Sequence, residues 1–318
     1  MFKKILTPLD GSETSERVLA WAAPLAEKLK AELILTTVVE AEPVPATPIT
    51  AGGPRPDPPE VMAEREVRLG MYDRLHNAAM RYLESTARRL VPANVEVTFN
   101  VVSGNPEDEI VAQAIATEAD LIAMATHRAS PIARGVLGSI ADRVVRSSPV
   151  SVLLLRPGNG RSSVTAPQPI KNVIVPLDAS PTSEMALDTA MAIALATDAR
   201  LHLMTATVGT YIHGPRTGAP FGHLYTGGQM RADAREYLKP FVEEALDEGI
   251  EADAIAVSSS PARAIIRAAH EEPGTIVVMA THGLRGFQRW VLGSVTDQVI
   301  RGAECPVLIV TTEDPGVN

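Results

Sequence analysis

Two segments of the sequence combine a threonine–histidine pair with a glycine–serine pair at the same spacing. One runs from Thr126 to Ser139 and the other from Thr281 to Ser294, an offset of 155 residues. In each, the glycine and serine open a candidate helix, whose first backbone N–H groups have no partner within the helix. Such a helix start favours anions, and glycine allows a phosphate to approach the backbone closely. The two segments therefore predict phosphate-binding loops.

An aspartate ends the first apolar segment of each half of the chain. Asp10 and Asp178 follow matching sequences at an offset of 168 residues. Ligands of open parallel sheets bind beyond the carboxyl ends of the strands, so we expect these carboxylates near the glycine–serine loops. A lone aspartate at a strand end fits a hydrogen bond to loop amides equally well. Similarly, Ser139 and Ser294 suit helix N-caps, a role that is compatible with contact to phosphate.

Other polar residues of the repeat favour structural roles. For His127 and His282, we favour hydrogen bonding over catalysis or metal binding, because no acidic residue or second histidine lies at ligand spacing. For the equivalent Arg134 and Arg289, phosphate steering and plain surface exposure fit equally well. The sequence contains no P-loop, dinucleotide-binding glycine motif, nucleophile elbow or zinc spacing. We therefore predict no catalytic residue and no metal held by protein ligands.

Composition limits the classes of protein that remain. The chain has 318 residues, a formal net charge of -9 and a single cysteine, Cys305. This length suits two soluble domains of roughly 150 residues, each able to bury its own core. The single cysteine excludes an intrachain disulfide, and the negative charge argues against nucleic acid or an acidic membrane as a partner. No apolar run approaches the roughly 18 to 20 residues that cross a bilayer, and Asp10 follows Met1 too soon for a signal peptide, so we expect a cytoplasmic protein.

The repeat divides the chain into a first domain, 1–157, a linker, 158–169, and a second domain, 170–318. Short apolar strands alternate with helices in both halves, which predicts parallel sheets covered by helices on both faces. The first helices should start at Ser12 and Ser180. The predicted strands are Lys4 to Leu9, Leu33 to Val39, Val95 to Val102, Leu121 to Ala125 and Val150 to Leu155, then Asn172 to Leu177, Leu201 to Val208, Ala254 to Ser258, Thr275 to Ala280 and Pro306 to Val310.

The halves differ by one insertion. It falls where the first half has a proline-rich stretch, Pro43 to Pro59, and the second a glycine-rich one, Gly209 to Gly228. Both stretches are predicted to be loops. A solvated loop is the simpler interpretation of the first, and a lid over the first site is the alternative.

The combined motifs resemble the universal stress proteins, whose ATP-binding members carry G-x2-G-x9-G-[S/T] after the fourth strand. The matching features are the aspartate after strand one, Gly104-Asn105-Pro106 before helix three, and the Thr-His and Gly-Ser pairs. The resemblance covers residues 1–157 and 170–311. It implies two tandem doubly wound α/β domains of the adenine-nucleotide alpha-hydrolase-like fold, each with a five-stranded parallel sheet.

In that family, the aspartate region and a residue of strand two hold ribose and adenine, and the glycine loop holds the phosphates. The resemblance therefore implies one set of nucleotide-binding residues in each half. In the first half these are Pro8, Leu9, Asp10, Val38, Met124, Ala125, Arg128, Gly138 and Ser139; in the second they are Pro176, Leu177, Asp178, Ala206, Met279, Ala280, Gly283, Gly293 and Ser294.

The sequence departs from the family pattern in both halves. Ala125 and Ala280 replace the first glycine, a one-methyl change. Arg128 replaces the second glycine, where its guanidinium would either pair with phosphates or close the site. The second half keeps that glycine but has Ala179 after its aspartate and Ser259 in place of the glycine before helix three. We expect ATP binding in the second half foremost.

The resemblance implies a cytoplasmic, ATP-binding regulator of the stress response, with Mg2+ accompanying the nucleotide and at most slow hydrolysis. Two alternatives remain open: an interaction module with degenerate, nucleotide-free sites, and a weak adenine-nucleotide hydrolase or transferase. Domains of the family pair through their last strand, so the halves should form an internal pseudo-dimer. A homodimer and an unidentified protein partner are also expected, without nucleic acid or membrane.

Overall fold

A computed structural model describes residues 1–40, 49–50, 53–54, 59–126, 137–156, 167–207, 227–282 and 292–312. His127, Arg128, Arg134, Gly283 and Arg289 lie outside these ranges, as do most of the predicted loops and of the linker. Because most of the linker lies outside the described ranges, the limits of the two domains remain a prediction.

The first half contains seven strands and five helices within the described ranges. The strands are β1 (Lys4–Pro8), β2 (Glu32–Val39), β3 (Ile49–Thr50), β4 (Gly53–Pro54), β5 (Val97–Ser103), β6 (Leu121–Ala125) and β7 (Ser151–Leu155). The helices are α1 (Glu13–Glu16), α2 (Leu19–Leu29), α3 (Pro59–Leu90), α4 (Pro106–Ala116) and α5 (Ser139–Ser147).

Within the described ranges the second half repeats this order, and the stretch that corresponds to β3 and β4 lies outside them. Its strands are β8 (Asn172–Pro176), β9 (Arg200–Thr207), β10 (Ala252–Ser258), β11 (Thr275–His282) and β12 (Val307–Thr312). Its helices are α6 (Pro181–Glu184), α7 (Leu187–Thr197), α8 (Gly227–Asp247), α9 (Pro261–Glu271) and α10 (Ser294–Gly302).

All the longer strands join one ten-stranded sheet. Each half contributes five parallel strands, in the orders β7-β6-β1-β2-β5 and β12-β11-β8-β9-β10. The last strands, β7 and β12, pair antiparallel, with Leu308 opposite Leu153. This arrangement confirms the predicted fold class, and it places the halves back to back through their last strands.

Helices cover both faces of the sheet and bury two apolar layers. Alternate strand residues point to opposite faces, so most strands of the large sheet contribute to both layers. One layer includes Leu25, Leu33, Leu83, Leu203 and Leu238, and the other includes Ile110, Val144, Ile265, Met279 and Val299. Each such side chain stabilises the fold by about 1.5–3 kcal/mol on full burial. None of the helices in the described ranges combines the length and the apolar character that crossing a membrane requires.

The first helix of each half starts where the sequence predicts but is interrupted after one turn. Ser12 and Ser180 are N-caps, and each side chain accepts from the backbone N–H three residues later. The hydroxyl of Ser15 donates back to the carbonyl of Ser12 at 2.9 Å, and Ser183 does the same to Ser180. Such a bond competes with the helical backbone pattern, which explains the break that the apolar spacing did not predict.

Candidate functional site

A cavity of about 330 Å³ lies at the carboxyl ends of β8, β9 and β11, beside the start of α10. This volume falls within the roughly 300–1,000 Å³ of small-molecule sites. The cavity brings together every described residue that the sequence implicated in the second half. These residues are Pro176, Leu177, Asp178, Ala206, Met279, Ala280, Gly293 and Ser294.

Two contacts with β9 fix the chain at the end of β8. The backbone N–H of Leu177 donates to the carbonyl of Met204 at 2.8 Å. The hydroxyl of Thr205 donates to the carbonyl of Leu177 at 3.0 Å. The N–H and the carbonyl of Leu177 are thus both hydrogen-bonded to β9, which fixes the position of the backbone just before Asp178.

The Asp178 carboxylate is oriented by the start of α6. Its Oδ1 accepts from the backbone N–H of Ser180 at 3.0 Å and from the Ser180 hydroxyl at 2.5 Å. Burial raises the pKa of the Asp178 carboxyl. The hydrogen bonds that the carboxylate accepts, chiefly from Ser180, lower the pKa by more, so it lies below its ordinary value. The cavity is thus lined by a carboxylate that stays ionised at neutral pH. The hydrogen bond to the loop amide is confirmed, and the role of Asp178 in ligand binding stays a prediction.

The residue after this aspartate has an uncommon backbone conformation. Ala179 has φ of 64°, a left-handed conformation that costs a residue with a Cβ about 1–2 kcal/mol. Gly11, at the equivalent position of the first half, has φ of 85°. The turn that aims the aspartate therefore requires positive φ in both halves, and only the first half uses glycine there.

Within the described part of the chain, no side chain caps the start of α10. Gly293 is the N-cap, with φ of -59°, and Ser294 is the first helical residue. Gly138 and Ser139 have the same roles at α5. The N-cap interpretation of the two serines was therefore wrong, because the glycines occupy that position. A Cβ on Gly293 would lie 3.7 Å from Oγ1 of Thr296, an ordinary contact, so the backbone itself does not demand glycine.

Thr281 belongs to the repeated motif, but it is one of several lining residues that were not predicted as site residues. Its side chain is 4% exposed and lines the cavity, and its hydroxyl has no hydrogen-bond partner among the residues that the structure describes. A buried hydroxyl without a partner costs about 1–3 kcal/mol. The alternation of β11 could have indicated it, since Met279 and Thr281 share one face of the strand.

The sequence model of the Universal stress protein family matches residues 1–156 and 169–311. The chain belongs to the universal stress protein family. Universal stress protein MJ0531 of Methanocaldococcus jannaschii is 29% identical over 141 residues, which are 44% of this chain and 81% of the relative. A putative universal stress protein of Staphylococcus aureus is 28% identical over 147 residues, 45% of this chain and 86% of the relative.

A solved structure matches both halves of this universal stress protein together. The universal stress protein from Archaeoglobus fulgidus superimposes with a TM-score of 0.63 at 21% identity, covering 97% of this chain and 98% of that one. At this identity the likeness shows the fold alone. Within the described ranges, no three His, Cys, Asp or Glu side chains gather in a way that could hold a metal ion.

The first half of this universal stress protein repeats the aspartate turn. Oδ1 of Asp10 accepts from the backbone N–H of Ser12 at 3.0 Å and from its hydroxyl at 2.6 Å. Thr36 stands in the position of Met204 and carries a fully buried hydroxyl without a described partner. The other implicated residues lie along the same edge of the sheet, Pro8 and Leu9 at the end of β1, Val38 in β2, Met124 and Ala125 in β6, and Gly138 and Ser139 at the start of α5.

The two edges differ most in charge. The first turn of α4 carries Glu107, Asp108 and Glu109. The equivalent turn of α9 carries Ala262, Arg263 and Ala264, and its neighbours Pro261 and Ile265 line the cavity of the second half. The first half thus places three acidic residues where the second half has none.

Proposed function

We propose that the second half of this universal stress protein binds ATP together with Mg2+ in the cavity beside α10. The observation that carries the proposal is the hydroxyl of Thr281, which is buried without a described partner in a cavity that ends at an uncapped helix start. A phosphate oxygen would accept from this hydroxyl and from the backbone N–H groups at Ser294 and beyond. The small Gly293 leaves room for that approach.

The remaining lining suits the adenosine part of the nucleotide. Asp178 offers an ionised carboxylate that can accept from the ribose hydroxyls. Met204, Ala206 and Met279 form an apolar floor at the ends of β9 and β11, which suits a flat aromatic base. Few polar groups and a largely apolar lining are typical of small-molecule sites.

Charge supports the second half over the first as the ATP site. The first turn of α4 carries Glu107, Asp108 and Glu109, of which Asp108 pairs with Arg143, whereas the first turn of α9 has Arg263 and no acid. Like charges held close together repel, and repulsion of this kind weakens binding. We therefore assign the first half a weaker affinity for the nucleotide.

We further propose that ATP acts as a regulatory ligand and that hydrolysis is slow at most. Asp178 is the only ionisable side chain among the described residues of the cavity, and a carboxylate with a lowered pKa is a weak general base. Bound phosphates would order the helix start and change a surface that a partner protein or a second copy of the chain reads in the cytoplasm. The nucleotide would bring the Mg2+ with it.

Isothermal calorimetry with MgATP tests this assignment. Gly293→Val should weaken binding at least about tenfold, because the added methyl groups occupy the approach to the backbone donors. The matched Gly138→Val variant, at the equivalent first-half position, should leave the stronger site unchanged. Equal affinities of the wild-type protein and Gly293→Val would overturn the site assignment.

The same samples separate the two alternative functions. A nucleotide-free interaction module would show neither calorimetric heat nor a rise in melting temperature with ATP, whereas a ligand at 100 times its Kd stabilises a protein by about 2.7 kcal/mol. A hydrolase or transferase would convert ATP during overnight incubation, which product analysis by chromatography detects.

A further inference from the structure

Four charged side chains connect the two halves on one face of the sheet. Within α5, Asp142 pairs with Arg146 at 2.9 Å, and within α10, Asp297 pairs with Arg301 at 2.8 Å. Two further contacts cross between the halves, from Arg301 to Asp142 at 3.6 Å and from Arg146 to Asp297 at 3.9 Å. We call these four side chains the charge ring.

The charge ring is built from equivalent positions of the repeat. Asp142 and Asp297 lie in the first turns of helices whose N-caps are Gly138 and Gly293, and each arginine follows one turn later. Because each aspartate contacts both arginines, a rotation of either helix start disturbs contacts made by the other. The side chains are about one-third exposed, so each pair alone contributes little to stability, whereas the closed network links the two helices.

We propose that the charge ring couples the starts of α5 and α10, so that a ligand that orders the start of α10 also restrains the start of α5. This inference rests on the proposed function, since ATP is the ligand that orders α10. Ordering of one helix lowers the conformational freedom that the second must still lose, which gives positive coupling between the sites. By linkage, ligands at the two sites change each other's affinity by the same factor.

Hydrogen exchange on the full-length chain tests the coupling. In a Gly138→Val background, which closes the first site to phosphate, MgATP should slow amide exchange in α10 and also in α5, the latter about fivefold. The added pair of changes Asp142→Asn and Arg146→Gln removes the α5 side of the charge ring, keeps the net charge and leaves the Asp297–Arg301 pair intact. In that variant α10 should remain protected by MgATP and the protection of α5 should disappear.

A matched control removes a pair on the same helix that stays within the first half. Arg143 contacts Asp108 of α4 at 3.3 Å, and the changes Arg143→Gln and Asp108→Asn should preserve the protection of α5. Arg146→Lys, which keeps the charge, provides a milder variant in case the pair of changes unfolds the protein, and it should weaken the protection of α5. Protection of α5 that persists without the charge ring would refute the coupling. So would its absence in the Gly138→Val protein with an intact charge ring while α10 is protected. Absence of protection in both helices would instead overturn the proposed ATP site, and the coupling with it.

Discussion

The hydroxyl of Tyr237 in α8 donates a hydrogen bond of 2.8 Å to Oε1 of Glu184, the last residue of α6. Burial is the main cause that raises the pKa of Tyr237. The hydrogen bond to Glu184 and the negative charges of Glu184 and Asp178 raise it further. Tyr237 therefore holds α6 in place, and Ser180, the N-cap of α6, orients the Asp178 carboxylate. In the first half the equivalent Glu16 pairs with Arg89 at 2.8 Å instead.

Replacing Tyr237 by phenylalanine should lower the free energy of unfolding by about 1.5–3 kcal/mol, because a hydrogen bond to a charged acceptor is lost. The matched change is Tyr82→Phe at the equivalent position of α3. The Tyr82 hydroxyl is buried without a partner in the described part of the chain, although burial and the nearby Glu16 raise its pKa to about 12. Its removal should be neutral or stabilising, and equal losses in urea unfolding would contradict the assignment.

The lowered pKa of Asp178 predicts a pH dependence of stability. A carboxyl whose pKa is depressed in the folded protein contributes stability that is present above its unfolded pKa of about 3.9 and is lost as pH falls towards the folded value. Urea unfolding between about pH 3 and pH 6 should show this loss in the wild-type protein and a shallower one in Asp178→Asn. Ser180→Ala, which removes a hydrogen bond to the carboxylate, should also make the dependence shallower. Parallel curves for all three proteins would contradict the role of Ser180.

The positive φ of Ala179 predicts that Ala179→Gly and Gly11→Ala change the free energy of unfolding in opposite directions. Ala179→Gly should raise the free energy of unfolding by up to about 1 kcal/mol, since relief of the left-handed alanine exceeds the entropy that glycine gains in the unfolded chain. Gly11→Ala should lower it by a similar amount. A Cβ on Gly11 would have no atom within 4 Å, so any loss reports backbone conformation rather than a clash. Thermal unfolding of the two variants measures both, and effects of the same sign would refute the argument.

The repeat explains why the sequence predicted the fold well. Each strand of the ten-stranded sheet was indicated twice, and β6 runs from Leu121 to Ala125 as predicted. The two-residue strands β3 and β4 lie in a stretch that was predicted to be a loop. β11 extends two residues beyond the predicted Ala280 because it keeps its pairing with β12 through His282. The break after α1 depends on the rotamer of Ser15, which an apolar pattern does not encode.

The candidate site was also predictable only in part, because a sequence motif does not encode the surroundings of each side chain. A motif identifies residues near a ligand by their spacing, and it placed Asp178 and Gly293 at one edge. Thr281 has no hydrogen-bond partner for its hydroxyl among the described residues, whereas the equivalent Thr126 does have a partner, so the residue type alone is not informative. The charge ring likewise requires the antiparallel pairing of β7 with β12, which brings α5 and α10 close together.

Thr281→Val should separate stability from ligand binding. The valine has nearly the same shape and no hydroxyl to leave unpaired, so the ligand-free protein should gain about 1 kcal/mol of stability. Affinity for MgATP should fall about tenfold, because a phosphate oxygen loses a donor inside a desolvated cavity. Thr205→Val is the matched control, since its hydroxyl already donates to the carbonyl of Leu177 and its loss should destabilise the protein. Urea unfolding and calorimetry on the two variants measure both quantities. A Thr281→Val protein that loses stability, or that binds MgATP as the wild type does, would mean that this hydroxyl serves the fold and not the ligand.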